Sequence, residues 1–120
     1  MSEYEGFLTT HILDTAKGCP AKDVRIEIFR LEGQVRNRLG EVFTNHDGRT
    51  DRPIIPKGAL EAGIYELVFF IGDYFARDKD KKAHPFLDIV PIRFGVSEPN
   101  EHYHVPLLAS PYSFSTYRGS

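Results

Sequence analysis

The stretch His102-Tyr-His-Val-Pro-Leu-Leu-Ala-Ser-Pro-Tyr-Ser-Phe-Ser-Thr-Tyr-Arg-Gly-Ser120 decides how this chain folds. It reads as a strand from His102 to Ala109, a turn at Ser110-Pro111, and a second strand from Tyr112 to Arg118. Side chains alternate across a strand, so His102 and His104 share one side and Tyr103 takes the other. The segment stops on aromatic, cationic and hydroxyl groups, where chain ends ordinarily fray. It is therefore expected to be held in place.

The same period of two extends outward from it. Thr9, His11 and Leu13 alternate with Leu8, Thr10 and Ile12. Asp14 to Ala21, with Gly18 and Pro20, reads as a turn. Val24, Ile26 and Ile28 alternate with Arg25, Glu27 and Phe29 in a half-buried strand. Gln34 to Thr44 is a more polar strand that ends at the turn signal Asn45-His-Asp-Gly-Arg49. Pro53 and Pro56 bracket a short strand. Gly63 opens the most apolar one, Tyr65 to Ile71, whose apolar residues on both faces mark a central position.

Asp73 to Lys79 is the one helical segment, with Asp73 as N-cap, and the charge run Asp78 to Lys82 reads as its solvated end or a loop. Phe86 to Val96 is a strand in which Pro91 signals an edge or a bulge. About eight short strands and one short helix imply an all-β fold, a two-sheet antiparallel β-sandwich, as a single domain over residues 1–120.

Composition bounds the rest. A chain of 120 residues buries roughly two-thirds of its unfolded surface. A net charge of −2 carries no basic footprint, so nucleic acid is not an expected partner. No segment approaches the ~20 apolar residues of a membrane span. Cys19, the single cysteine, excludes an internal disulfide. Residues 1–10 carry two glutamates and lack the basic-then-apolar pattern of an export signal. A cytoplasmic protein is expected.

Several side chains could carry chemistry. The His102/His104 pair fits a solvated strand edge, which suits His102 beside Glu101. It also fits a metal site completed by His11, though no cysteine or carboxylate is spaced to support one. The third reading is general acid–base work by His104, an imidazole able to take a proton from water at neutral pH. His11 lies mid-strand, where a lone histidine is more often structural. Arg49 follows an Asp-Gly turn and is either a solvated cation or a two-pronged binder of carbonyls and anions. Arg118 invites the same comparison. Cys19 has no paired histidine and reads as a turn residue, as does Ser110, while Asp14 is placed to accept backbone donors. Spacing alone does not say whether these groups converge.

The sequence resembles the transthyretin-like family throughout. His11-Ile-Leu-Asp-Thr-Ala-Lys-Gly-Cys-Pro-Ala21 is similar to the family's amino-terminal signature and His102 to Ser120 to its carboxy-terminal one. The Asn45–Arg49 turn, Tyr65-Glu-Leu-Val-Phe-Phe and Tyr74-Phe75 fit as well. Within the family, Tyr117-Arg-Gly-Ser120 resembles the ending specific to hydrolases of 5-hydroxyisourate, and His11, Arg49 and His104 match positions that the hormone carriers fill differently. Asp88 to Pro91, Ala109 and Phe114 depart from the common pattern.

The resemblance implies an eight-stranded sandwich with one short helix. It implies a homotetramer, a dimer of dimers, with active sites where the dimers meet around a central channel. It implies hydrolytic ring opening of 5-hydroxyisourate to 2-oxo-4-hydroxy-4-carboxy-5-ureidoimidazoline in urate breakdown, without a metal or cofactor. His104 is expected to activate water with help from Ser120, Arg49 to stabilise the oxyanion, and His11 to orient substrate or shuttle a proton. Tyr117, Arg118 and Gly119 are expected to bind substrate. The alternative is a transthyretin-type carrier that binds a small ligand without turnover.

Overall fold

The computed structural model describes residues 5–77 and 83–119. Strands run β1 (Phe7–Asp14), β2 (Cys19–Pro20), β3 (Arg25–Glu32), β4 (Val35–Phe43), β5 (Gly63–Phe69), β6 (Val90–Val96), β7 (His102–Ala109) and β8 (Phe114–Thr116), with helix α1 (Ile71–Phe75) after β5. They form two four-stranded sheets, in the orders β2-β1-β7-β8 and β4-β3-β5-β6. The sheets bury their apolar faces against each other. Leu8, Ile12, Tyr103, Val105 and Leu107 from the first meet Ile26, Ile28, Tyr65, Leu67 and Phe69 from the second. Full burial of one such side chain contributes about 1.5–3 kcal/mol, so the alternation in the sequence fixes which face of each strand points inward.

The expected sandwich is present, with differences in its details. The pair β1–β7 is parallel, from Phe7 opposite His102 to Asp14 opposite Ala109. These strands lie at opposite ends of the chain, and the whole of the other sheet is built from residues between them. The segment between Pro53 and Pro56 makes only an isolated bridge, Ile55 to Leu8, and the two-residue β2 supplies the eighth strand. β6 begins at Val90 instead of Phe86 and is an edge strand, as Pro91 suggested. β8 is shorter than Tyr112 to Arg118, although Gly119 bridges back to His104.

The helix starts earlier than the sequence suggested. Phe70 occupies the N-cap position, and Asp73 sits in the first turn instead of capping it. Burial decides this boundary, because Ile71 is in the core and Gly72 N–H donates to the Asp88 carbonyl at 2.8 Å. Residues 78–82, with the end of the expected helix and the charge run, lie outside the described residues. No described helix is long and apolar enough to cross a membrane.

Three features position the site. Leu8, Thr10, Ile12 and Asp14 are buried along β1, which turns Thr9 and His11 outward. Tyr103, Val105 and Leu107 do the same on β7 for His102 and His104. The parallel register then sets Thr9 beside His104 on the outer face of the sheet. Asp14, as expected, binds backbone donors: its carboxylate accepts the amides of Ala16 and Lys17 at 3.0 and 2.9 Å, and also the Tyr74 hydroxyl at 2.8 Å.

Candidate active site

Because β2 pairs only with Leu13 and Asp14, much of that edge of β1 is left to the segment after β4. Gly48 accepts the Ile12 amide at 2.8 Å, and Ile55 and Leu8 bond both ways at 3.0 and 3.3 Å. Gly48 has φ +74°, and a Cβ there would lie 2.4 Å from the Ile12 carbonyl oxygen, so only glycine permits this approach. Asn45 fixes the turn from within: its side-chain oxygen accepts the amides of Asp47 and Arg49 at 2.9 and 3.3 Å. The Asn-His-Asp-Gly-Arg signal thus delivers Arg49 to the β1 edge.

His11 meets that turn directly, its Nε2 lying 2.9 Å from the Asp47 carbonyl oxygen. A carbonyl only accepts, so Nε2 carries the proton and a neutral His11 has a bare Nδ1. Burial lowers the pKa of His11, and the Arg49 charge lowers it further, with the Asp47 contacts opposing. Burial likewise lowers that of His104, helped by Arg49, His102 and His11. Both shifts favour the neutral ring, the form able to accept a proton.

His104 is clamped on two sides. Its Nδ1 lies 2.7 Å from Thr9 Oγ1. Its carbonyl accepts the Gly119 amide at 2.8 Å, and the Gly119 backbone covers the ring edge so closely that a Cβ there would fall 2.5 Å from Cδ2. The glycine of the terminal motif is a steric requirement of this ring. Nε2 of His104 keeps no hydrogen-bond partner among the described residues.

Thr9, Arg49, Asp51, Arg52, His102 and His104 are among the groups around a recess of about 390 Å³ on this face. Arg49 has no ion-pair partner among the described residues, and Asp51 lines the same recess. The structure thus brings together three of the residues picked from the sequence: His11, Arg49 and His104. Arg118 instead donates to Glu101 at 2.9 Å and lies 4.1 Å over the Tyr103 ring. Tyr117 is exposed, and Ser120 lies outside the described residues.

Sequence reasoning missed Thr9 and undervalued His102. Thr9 Oγ1 lies 2.6 Å from His102 Nε2 as well as 2.7 Å from His104 Nδ1. His102 also stacks on Phe7, with centroids 4.0 Å apart and planes 7° from parallel. The signal that could have found Thr9 was its place on the His11 side of β1. Among the described residues, no group of three His, Cys, Asp or Glu side chains could hold a metal ion.

The model of the HIUase/transthyretin family matches residues 8–119. The chain is 53% identical over 116 residues to 5-hydroxyisourate hydrolase 2 of Rhizobium meliloti, covering 96% of this chain and 97% of that one. It is 51% identical to the 5-hydroxyisourate hydrolase of Deinococcus radiodurans over the whole of both. Among solved structures it is similar to Klebsiella pneumoniae 5-hydroxyisourate hydrolase, at 36% identity and TM-score 0.76, covering 96% of this chain and 99% of the other. It also resembles sea bream transthyretin in complex with thyroxine, at 25% identity and TM-score 0.80 over 93% of each chain. An (S)-allantoin synthase matches 97% of this chain at 50% identity and TM-score 0.89, but the match spans only 44% of that longer chain.

Proposed function

The chain belongs to the HIUase/transthyretin family, and from that premise we infer that it is an enzyme, a hydrolase that opens the six-membered ring of 5-hydroxyisourate. The product is 2-oxo-4-hydroxy-4-carboxy-5-ureidoimidazoline. Near-complete relatives of the same name support the activity. The observation that carries the site is the meeting of the His11 and His104 imidazoles with the Arg49 guanidinium, whose charge favours their neutral forms.

The reaction needs a base for water, a stabiliser for the oxyanion and a proton for the departing nitrogen. His104 Nε2 is the proposed base, since its other nitrogen is engaged by Thr9. It takes one proton as the water oxygen attacks the ring carbonyl carbon. Arg49 donates to the oxygen on which negative charge grows, and its fork suits a flat, oxygen-rich ureide. His11, fixed through Nε2 to the Asp47 carbonyl, offers Nδ1 to orient substrate or shuttle the proton to the departing nitrogen. Ser120 assists His104 with its hydroxyl or carboxylate. Gly119 holds the His104 ring, while Tyr117 and Arg118 form the rest of the substrate wall, Arg118 secured through Glu101. No step calls for a metal or cofactor, because a cyclic ureide is already activated toward water.

The proposal extends to a single domain over residues 1–120, cytoplasmic, assembled as a dimer of dimers. Support for assembly comes from exposed Tyr112, Phe114 and Tyr117, on and beside the edge strand β8. The polar, cationic recess favours turnover over the carriage of an apolar ligand. Near-ultraviolet decay of freshly generated 5-hydroxyisourate tests the activity, with and without chelator, on protein sized by gel filtration. Decay well above buffer that survives chelator supports the reading; binding without decay transfers it to the carrier.

A further inference from the structure

We propose that Thr9 and His102 form a proton relay behind His104, in which the Thr9 hydroxyl carries protons between the two imidazoles. This deepens the hydrolase reading and rests on it for the kinetic consequence. The geometry carries the inference. One hydroxyl oxygen lies 2.6 Å from His102 Nε2 and 2.7 Å from His104 Nδ1, yet a hydroxyl has a single proton to give. With both rings neutral, the hydroxyl can donate to only one ring nitrogen, so at least one of the two rings donates to Oγ1. In the arrangement that conducts protons the tautomers are opposed: His104 carries its proton on Nδ1 while His102 Nε2 is bare, or the reverse.

The relay balances over one turnover. As a water O–H bond breaks and its oxygen bonds to the substrate carbon, the proton passes to His104 Nε2. The Nδ1 proton of His104 passes to Thr9 Oγ1, and the proton of Oγ1 passes to His102 Nε2. His104 stays neutral and His102 becomes an imidazolium. When the C–N bond breaks, the three transfers reverse: His104 Nε2–H protonates the departing nitrogen, Thr9 restores the Nδ1 proton, and His102 returns to neutral. One base thus becomes the acid for the next step without itself holding a positive charge.

The surroundings of the two rings differ. His104 faces Arg49 from the loop after β4, His11 from β1 and His102 on its own strand, with Asp51 and Arg52 also lining the recess. A cation on His104 would sit near the Arg49 guanidinium, which has no ion-pair partner among the described residues. Burial and Arg118 disfavour a cation on His102 as well, but Arg118 is paired with Glu101 at 2.9 Å, and the ring stacks on Phe7, over which Lys57 lies at 5.5 Å. Thr9 and His102 act through His104 and are positioning residues.

The test uses histidine ring 15N resonances of the whole protein across a pH titration, together with kcat and KM. In wild type, His102 and His104 are expected to titrate as a coupled pair, and Thr9→Val, which keeps the shape and loses the hydroxyl, should uncouple them. Thr9→Ser should restore coupling. In 5-hydroxyisourate turnover, Thr9→Val and His102→Gln should lower kcat roughly 10-fold or more with KM little changed, and Thr9→Ser should recover most of it. Independent titration in wild type, or an unchanged kcat in Thr9→Val, overturns the relay. Wild type without turnover removes the hydrolase reading, while the titration still decides whether the two rings share a proton path.

Discussion

The outer faces of the two sheets are both rich in charge, and they treat it in opposite ways. On the β4-β3-β5-β6 face, Glu66 receives Arg36 at 2.7 Å and Arg93 at 3.2 Å. Glu27 and Glu41 are shared between Arg25 and Arg38, at 2.9–3.5 Å. On the β1–β7 face, three imidazoles gather near Arg49, a cation without an ion-pair partner among the described residues. Paired charge is a way to keep a sheet surface solvated and in register. Uncompensated charge costs stability and persists where it is used. The difference locates function better than charge density does.

The sharpest way to break this contrast is at the imidazole whose Nε2 is unpartnered. His104→Asn should lower kcat/KM for 5-hydroxyisourate by about 10²-fold or more, with the thermal midpoint nearly unchanged. Gly119→Ala should approach that loss, roughly 10²-fold, since the added methyl displaces the His104 ring and misplacement on the order of 1 Å is this costly. A crystal structure of that variant should show the ring moved.

The pH profile sharpens the contrast further. Because His11 and His104 are lowered, by burial first and Arg49 second, the acid limb of kcat/KM should fall below the usual histidine value of about 6.5. The same shifts act on folding. The unfolded chain binds protons first as pH drops through the ordinary histidine value of 6.5, so stability declines from there until the folded rings protonate. Denaturant midpoints from pH 8 to 5 measure it. On the other face the order is different. Burial raises the Glu66 pKa, but hydrogen bonds from Arg36 and Arg93 outweigh it and hold it below the ordinary glutamate value of 4.5. Its contribution is present above that value and is lost as pH falls through the folded pKa. Glu66→Gln should cost only about 1 kcal/mol, because its partners are largely exposed, and should leave turnover unchanged.

Much of the fold was readable from the sequence because burial writes alternation directly. Leu8, Thr10 and Ile12 are inward, and so are Ile26 and Ile28. What was not readable depends on pairing across distance. The parallel contact of β1 with β7 joins residues some ninety positions apart, and no local pattern encodes it. His104, Arg49 and His11 were readable as candidates, but their meeting rests on Gly48 docking against Ile12. His102 was read as a solvated edge because Glu101 precedes it. Its bond to Thr9 exists only in the folded register. The helix was misplaced because Asp73 is a good cap by chemistry, while burial of Ile71 starts the turn earlier.

The most direct measurement is kcat/KM for freshly generated 5-hydroxyisourate on wild type, His104→Asn and Glu66→Gln side by side, each confirmed folded. Unpaired charge as the catalytic face predicts Glu66→Gln equal to wild type and His104→Asn slower by about 10²-fold or more. Equal rates for His104→Asn and wild type, or a comparable loss in Glu66→Gln, would contradict it.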